Sequence, residues 1–123
     1  MQLTEHYNEA QLFVRKADAR SVQVIDRVLT TSFVLSAEAV VDFPARDVGE
    51  LDQAAIDQIL ALNPEVVLLG TGARVVFPSQ AVRGAFLKCG IGLEAMDNAA
   101  AARTFNVLVG EGRKAVAVFL LPG

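Results

Sequence analysis

The chain has 123 residues, 53% of them hydrophobic and 20% charged, with a formal charge of −3. That is enough chain for one core and too apolar for a disordered segment. The acidic balance, with a pI of about 5.0, argues against a nucleic-acid binder, whose footprint is a clustered basic face.

Cys89 is the only cysteine, so no intrachain disulfide can form. Mean hydropathy is +0.40, yet the longest uncharged run, Val28 to Ala37, falls far short of the ~20 apolar residues a spanning helix needs. The opening residues MQLTEHYNEA have neither a basic nor an apolar signal region, so no cleaved signal is expected. These features predict a soluble, cytoplasmic protein, with residues 1–123 forming one domain. So few charges for this size also predict an apolar surface patch that meets a partner.

Residues 1–10 are polar and read as frayed or lightly docked. From Leu12 to Phe43 the chain reads as a β-meander that serves as antiparallel scaffold. Leu12-Phe13-Val14 is a short apolar run, and Ala17 to Arg20 suits a turn. Ser21 to Val24 alternates polar with β-branched residues, as a strand with one wet face does. Asp26-Arg27 interrupts, and Val28 to Leu35, rich in Val, Thr and Phe, predicts the next strand. Ser36 to Glu38 turns the chain, Val40-Val41 is a short strand, and Pro44 ends it.

The second half reads differently. Asp52 caps a helix predicted over Gln53 to Leu62, with Leu51 and Ile56 placed as a hydrophobic staple. Ile56, Ile59 and Leu60 mark its apolar face, and Asn63-Pro64 stops it. Val66 to Leu69 is a continuous apolar run, which suits a strand covered on both faces; it ends at Gly70-Thr71-Gly72. Val75-Val76-Phe77 suits a short extended piece. Pro78-Ser79 opens a second helix to about Cys89, with Val82, Phe86 and Cys89 as its buried stripe. Gly90 is placed for a left-handed exit. A strand over Ile91–Met96, a third helix capped by Asp97 and closed by Gly110-Glu111-Gly112, and a strand over Ala115–Leu121 complete the pattern. Such alternation is that of a crossover α/β sheet.

Few residues suggest chemistry. Gly70-Thr71-Gly72 lies where a buried strand leaves the sheet, the end at which ligands gather in open α/β sheets. It is neither GxGxxG nor a phosphate-binding GK[ST] loop, and a plain tight turn with glycines at positive φ is the simpler alternative. Glu94 sits inside a strand, where glutamate is disfavoured. Alternation puts it on one face with Gly92 and Met96. On a covered face it needs a bonding partner or a proton, whereas beside a cleft it can act as acid, base or acceptor; an ordinary ion-paired or solvent-facing glutamate is the simpler alternative. In the third helix, Ala101, Ala102, Phe105, Leu108 and Val109 fall on the core side. Arg103 and Asn106 lie opposite, with Ala99 and Gly110 keeping that strip small and Thr104 at its boundary. That strip predicts a contact surface. With one histidine, His6, and one cysteine predicted to be buried, neither a metal site nor a catalytic triad can be assembled; no catalytic residue and no cofactor are predicted.

The pieces GTG (70–72), Phe77-Pro78, GIGLEAM (90–96), RTFNVL (103–108) and EGR (111–113) together resemble the Mth-938-like family, also called domain of unknown function 498. The resemblance runs from Leu51 to Pro122. It implies a three-layer α/β fold with a mixed central sheet, the N-terminal meander and two or three packed helices. Positions matching the family wording are Gly70, Gly72, Glu94, Arg103, Thr104, Asn106, Glu111 and Arg113. Phe105 stands where many members carry tyrosine, so a phenolic hydroxyl is absent. Family relatives include a mitochondrial assembly factor for respiratory complex I and an adipogenesis-associated protein, which implies protein–protein work more than catalysis.

Two functional readings follow. In the first, the domain is a non-enzymatic interaction or assembly-type protein that meets a protein partner or a second copy through the third helix and the GTG turn, with Arg103 and Asn106 as polar contacts. In the alternative, it binds a small molecule, or acts on one, in a pocket at the strand ends lined by Gly70, Thr71, Glu94 and Asn98.

Overall fold

The computed structural model describes residues 11–123; the polar start with His6 lies outside the described residues. Eight strands and three α-helices follow one another. They are β1 (Val14–Ala17), β2 (Val22–Val24), β3 (Arg27–Leu29), β4 (Thr31–Leu35), β5 (Val40–Asp42), α1 (Gln53–Leu60), β6 (Val66–Gly70), α2 (Gln80–Leu87), β7 (Gly92–Met96), α3 (Asn98–Gly110) and β8 (Ala115–Pro122). A 3-10 turn, Val48–Glu50, precedes α1.

The strands form two sheets. One is mixed and five-stranded in the order β5-β4-β8-β6-β7, and the other is antiparallel in the order β1-β2-β3. Strand β6 runs parallel to both β7 and β8, while β4 is antiparallel to β5 and β8. The predicted side-by-side arrangement of the last three strands is therefore present, with β6 in the middle.

Period-two alternation divides the core. Leu68, Ala115, Ala117, Phe119, Phe33 and Leu35 face α3, where Ala101, Phe105 and Val109 meet them. Val67, Leu69, Val116, Val118 and Val34 face α1 and α2, where Ile56, Ile59, Val82 and Phe86 close the other side. The small sheet joins the α3 side through Val14, Val22 and Val24. This is why β6 and β8 read as unbroken apolar runs: each face of the sheet has its own layer to bury against.

The helix caps are those the sequence predicts. Asp52, Ser79 and Asp97 accept the backbone N–H of Ala55, Val82 and Ala100. Leu51 and Ile56 share one apolar cluster, as a staple requires. Helix α1 stops at Leu60, short of Leu62, and Asn63 takes φ 59 before Pro64. Gly90 takes φ 73 after α2.

Two predictions need correction. Val28 to Leu35 is not one strand: the chain changes sheet at Thr30, so β3 pairs with β2 and β4 pairs with β8. No glycine or proline marks that switch, and the apolar alternation simply runs through it. Cys89 is exposed. Helix α2 ends at Leu87 with Lys88 as its C-cap, so the 100° rotation that aligned Cys89 with Phe86 no longer applies. Val75 to Phe77, expected as a short extended piece, is exposed and pairs with no strand among the described residues.

Candidate functional site

Gly70, Thr71, Gly72 and Asn98 do come together, and hydrogen bonds among them explain why. Strand β6 ends at Gly70, where an added Cβ would lie 2.5 Å from Asn98 Oδ1, 3.2 Å from the Val118 carbonyl and 3.3 Å from Ala101 Cβ. Glycine is required there because the first turn of α3 presses onto the strand. Gly72 takes φ 103, open only to glycine at low cost. Its N–H donates to Asn98 Oδ1 at 3.1 Å, and its carbonyl accepts from the Asn98 N–H at 2.9 Å.

Asn98 is fully buried at 0% exposure. Its Nδ2 donates to the carbonyls of Asp18 at 3.0 Å and Leu120 at 3.3 Å. One amide thus ties three things: the turn after β6, the turn between β1 and β2, and the end of β8. Both side-chain N–H donors are spent inside the chain, and the oxygen that keeps one acceptor site is buried with the rest of the residue. Thr71 is similarly occupied. Its N–H donates to Met96 O at 2.9 Å; its hydroxyl donates to Arg74 O at 2.7 Å and accepts from Val76 N at 3.0 Å.

The remaining residues stand apart from that knot. Glu94 is exposed, in mid-strand on β7, level with Leu68 of β6. Among the described residues β7 is the sheet's outer strand; Met96 on the same face packs against the α3-side core, but Glu94 itself is left open and requires no buried partner. It lines a small cleft of about 150 Å³ with Phe77, Pro78, Arg83, Leu93 and Ala95. Thr104 Oγ1 donates to Ala100 O at 2.8 Å, one helical turn back.

Arg103 and Asn106 do not share a solvent face, as the helical rotation had predicted. Arg103 is exposed, but Asn106 turns to β1. It accepts from Val14 N at 2.9 Å and donates to Val14 O at 2.8 Å, a two-point clasp on one residue's backbone. A wheel with one buried stripe cannot anticipate this, because α3 is covered twice, by the large sheet and by β1. The exposed stripe is Arg103, Val107 and Gly110.

At the far end of the sheet, Arg113 Nε donates to Glu65 Oε1 at 3.3 Å, and the same oxygen accepts from Lys114 N at 3.1 Å. The Lys114 N–H first, and Arg113 second, hold the Glu65 carboxyl below its ordinary range. A carboxyl lowered in the folded state adds stability above its unfolded value, and that contribution is lost as pH falls through the folded one. Both groups are about half exposed, so the effect is small. The melting-temperature gap between wild type and Glu65→Gln is expected to close between about pH 6 and about pH 3; a gap that widens on acidification would contradict the assignment. Among the described residues, no three His, Cys, Asp or Glu side chains are grouped to hold a metal ion.

The family model for a protein of unknown function, DUF498/DUF598, matches residues 14–120, from the start of β1 to within β8. The chain belongs to the DUF498/Mth938-like family. A Xanthomonas campestris protein solved by NMR is 45% identical, with a TM-score of 0.86 over 98% of this chain and 92% of that one. A Bordetella pertussis protein described as a Mth938-like domain is 26% identical, with a TM-score of 0.78 over 93% and 88%. A Francisella tularensis protein named "13 kDa major membrane protein" is 30% identical over 89 residues, 71% of this chain and 72% of that one. Among the described residues of this DUF498 chain, no helix is long and apolar enough to cross a membrane.

Proposed function

We propose that this DUF498 domain is a non-enzymatic protein-interaction module, working as one unit in the cytoplasm, and that it takes its partner along the open edge of β7. The observation that carries this reading is the chemistry of that edge. Among the described residues, strand β7 has β6 on one side and no strand on the other. Met96 turns its carbonyl toward β6, where Thr71 N meets it. Alternation then turns the N–H and C=O of Leu93 and Ala95 outward. Beside them stands Phe77 at 70% exposure, and α2 carries a second large apolar side chain, Leu87, at 74%. Phe77 shares the edge cleft with Arg83, and Leu87 lies one helical turn beyond Arg83 on the same face of α2.

An extended segment added there gains main-chain hydrogen bonds from Leu93 and Ala95 and apolar cover from Phe77 and Leu87. Glu94 limits the choice of occupant. Two copies paired antiparallel about Glu94 would set like charges opposite each other, which is unfavourable, so a different chain suits the edge better than a second copy. The pocket reading has less to support it, because Asn98 and Thr71 are already bonded within the chain. Phe77→Ser together with Leu87→Ser is expected to abolish capture of partners by crosslinking in lysate and to leave the melting temperature unchanged. Capture at wild-type levels by that variant would count against the edge.

A further inference from the structure

A second surface, on the opposite side of the molecule's α3 layer, has the chemistry of an anion site. Arg15, Lys16 and Arg103 line one cleft of about 250 Å³ between β1 and α3, floored by Ala17, Ala99 and Ala102. The chain as a whole is acidic, so three cations on one cleft run against its average. Among the described residues none of the three is in an ion pair; the ion pair present is Arg113 with Glu65.

Two features suggest that the cleft is built. The cleft runs along all of β1, lined by Val14, Arg15, Lys16 and Ala17, and the strand carries a register shift there. Val14 pairs with Val24 and Lys16 with Gln23, so β1 carries one residue more than β2 at this point. A bulge of this kind re-aims side chains. In addition, Arg15 is already held: its Nε donates to Ile25 O at 3.0 Å, and its guanidinium lies 5.1 Å from the Phe13 ring centroid. Among the described residues its two terminal nitrogens have no partner, so they can donate side by side. Asn106, bonded to Val14, fixes β1 against α3 and so fixes the width of the cleft.

We propose that this cleft binds a phosphate group, with Arg15 as the forked donor and Lys16 and Arg103 closing on the remaining oxygens. Paired N–H donors match phosphate oxygens, and the alanine floor lets the group lie close to the backbone. The phosphate can come from a free phosphate compound or from an anionic lipid headgroup.

The test uses the full chain, labelled for NMR. Inorganic phosphate and pyrophosphate are titrated against sodium chloride of equal ionic strength. In parallel, flotation is measured with phosphatidylcholine vesicles and with equimolar phosphatidylcholine–phosphatidylglycerol vesicles. The expected result is saturable shifts at the amides of Lys16, Ala17, Ala99 and Arg103, weakened about tenfold or more in Arg103→Gln and in Lys16→Gln and partly kept in Arg103→Lys. Both residues are exposed, so the variants fold. Saturation by the free anions identifies a small-molecule source. Flotation with the anionic vesicles alone, lost in the same variants, identifies the headgroup. No response beyond chloride in either arm overturns the proposal, and so does an equal loss in Arg113→Gln, which removes a charge elsewhere.

Discussion

Asn98→Ala is expected to destabilise the protein by about 3 kcal/mol, since it empties a fully buried side-chain site and strips bonds from backbone groups at three separate places, the one at Leu120 buried. The Gly72 N–H and the Asp18 and Leu120 carbonyls each lose a partner. Asn98→Asp does not rescue it, because a carboxylate can accept from Gly72 but repels the two carbonyls. Gly70→Ala is expected to cost about 2 kcal/mol by overpacking, since the new methyl meets an amide oxygen that is itself held in place. The two sites are coupled. In Gly70→Ala/Asn98→Ala the methyl no longer meets Oδ1, so the loss should fall short of the sum by about 1 kcal/mol. Full additivity in urea denaturation would mean that the close approach is relieved some other way.

The second large effect is Asn106→Ala, expected to cost about 2 kcal/mol through the loss of both bonds to Val14. Its signature is local. Amide exchange should rise in β1 and β2, which depend on that clasp, and stay slow in β6 and β8. Asn106→Asp keeps an acceptor for Val14 N but loses the donor to Val14 O, so it should behave almost like alanine. Equal acceleration across both sheets would contradict the clasp.

These two asparagines show where sequence reading stops. The crossover half was legible because its signals are local: Asp52, Ser79 and Asp97 cap helices by short-range hydrogen bonds, and the apolar runs of β6 and β8 need cover on both faces whatever surrounds them. Asn98 and Asn106 are bonded to Asp18 and Val14, some 80 and 92 residues away. No spacing along the chain encodes such pairs. Both look like polar residues of a helix surface until the small sheet is folded over α3. Ser32 was missed for the same reason. It sits buried in β4, and its hydroxyl donates to Leu121 O and accepts from Leu121 N where the β4–β8 register slips. The change of sheet at Thr30 was hidden by the opposite effect, a pattern so continuous that nothing announced the break. Glu94 was left open between a covered face and an exposed one, because nothing local tells that β7 lies at the rim of the sheet.

A consequence runs through the family wording. Gly70, Gly72, Thr104 and Asn106 are explained by bonds and close packing inside this chain, whereas Glu94 and Arg103 remain at the surface. Motif residues that look alike on paper therefore divide into those that hold layers together and those left to meet something else.

What separates this account from a pocket at the strand ends is whether the Gly72 amide and the Asn98 side-chain amide are sealed. Hydrogen exchange of those protons, followed by NMR under native conditions, answers it. Sealed groups should exchange only through global unfolding, alongside the core amides of β6. Exchange at the rate of an open loop would mean that solvent, and hence a ligand, reaches the turn, and the division between internal bonds and outer binding surfaces would fail.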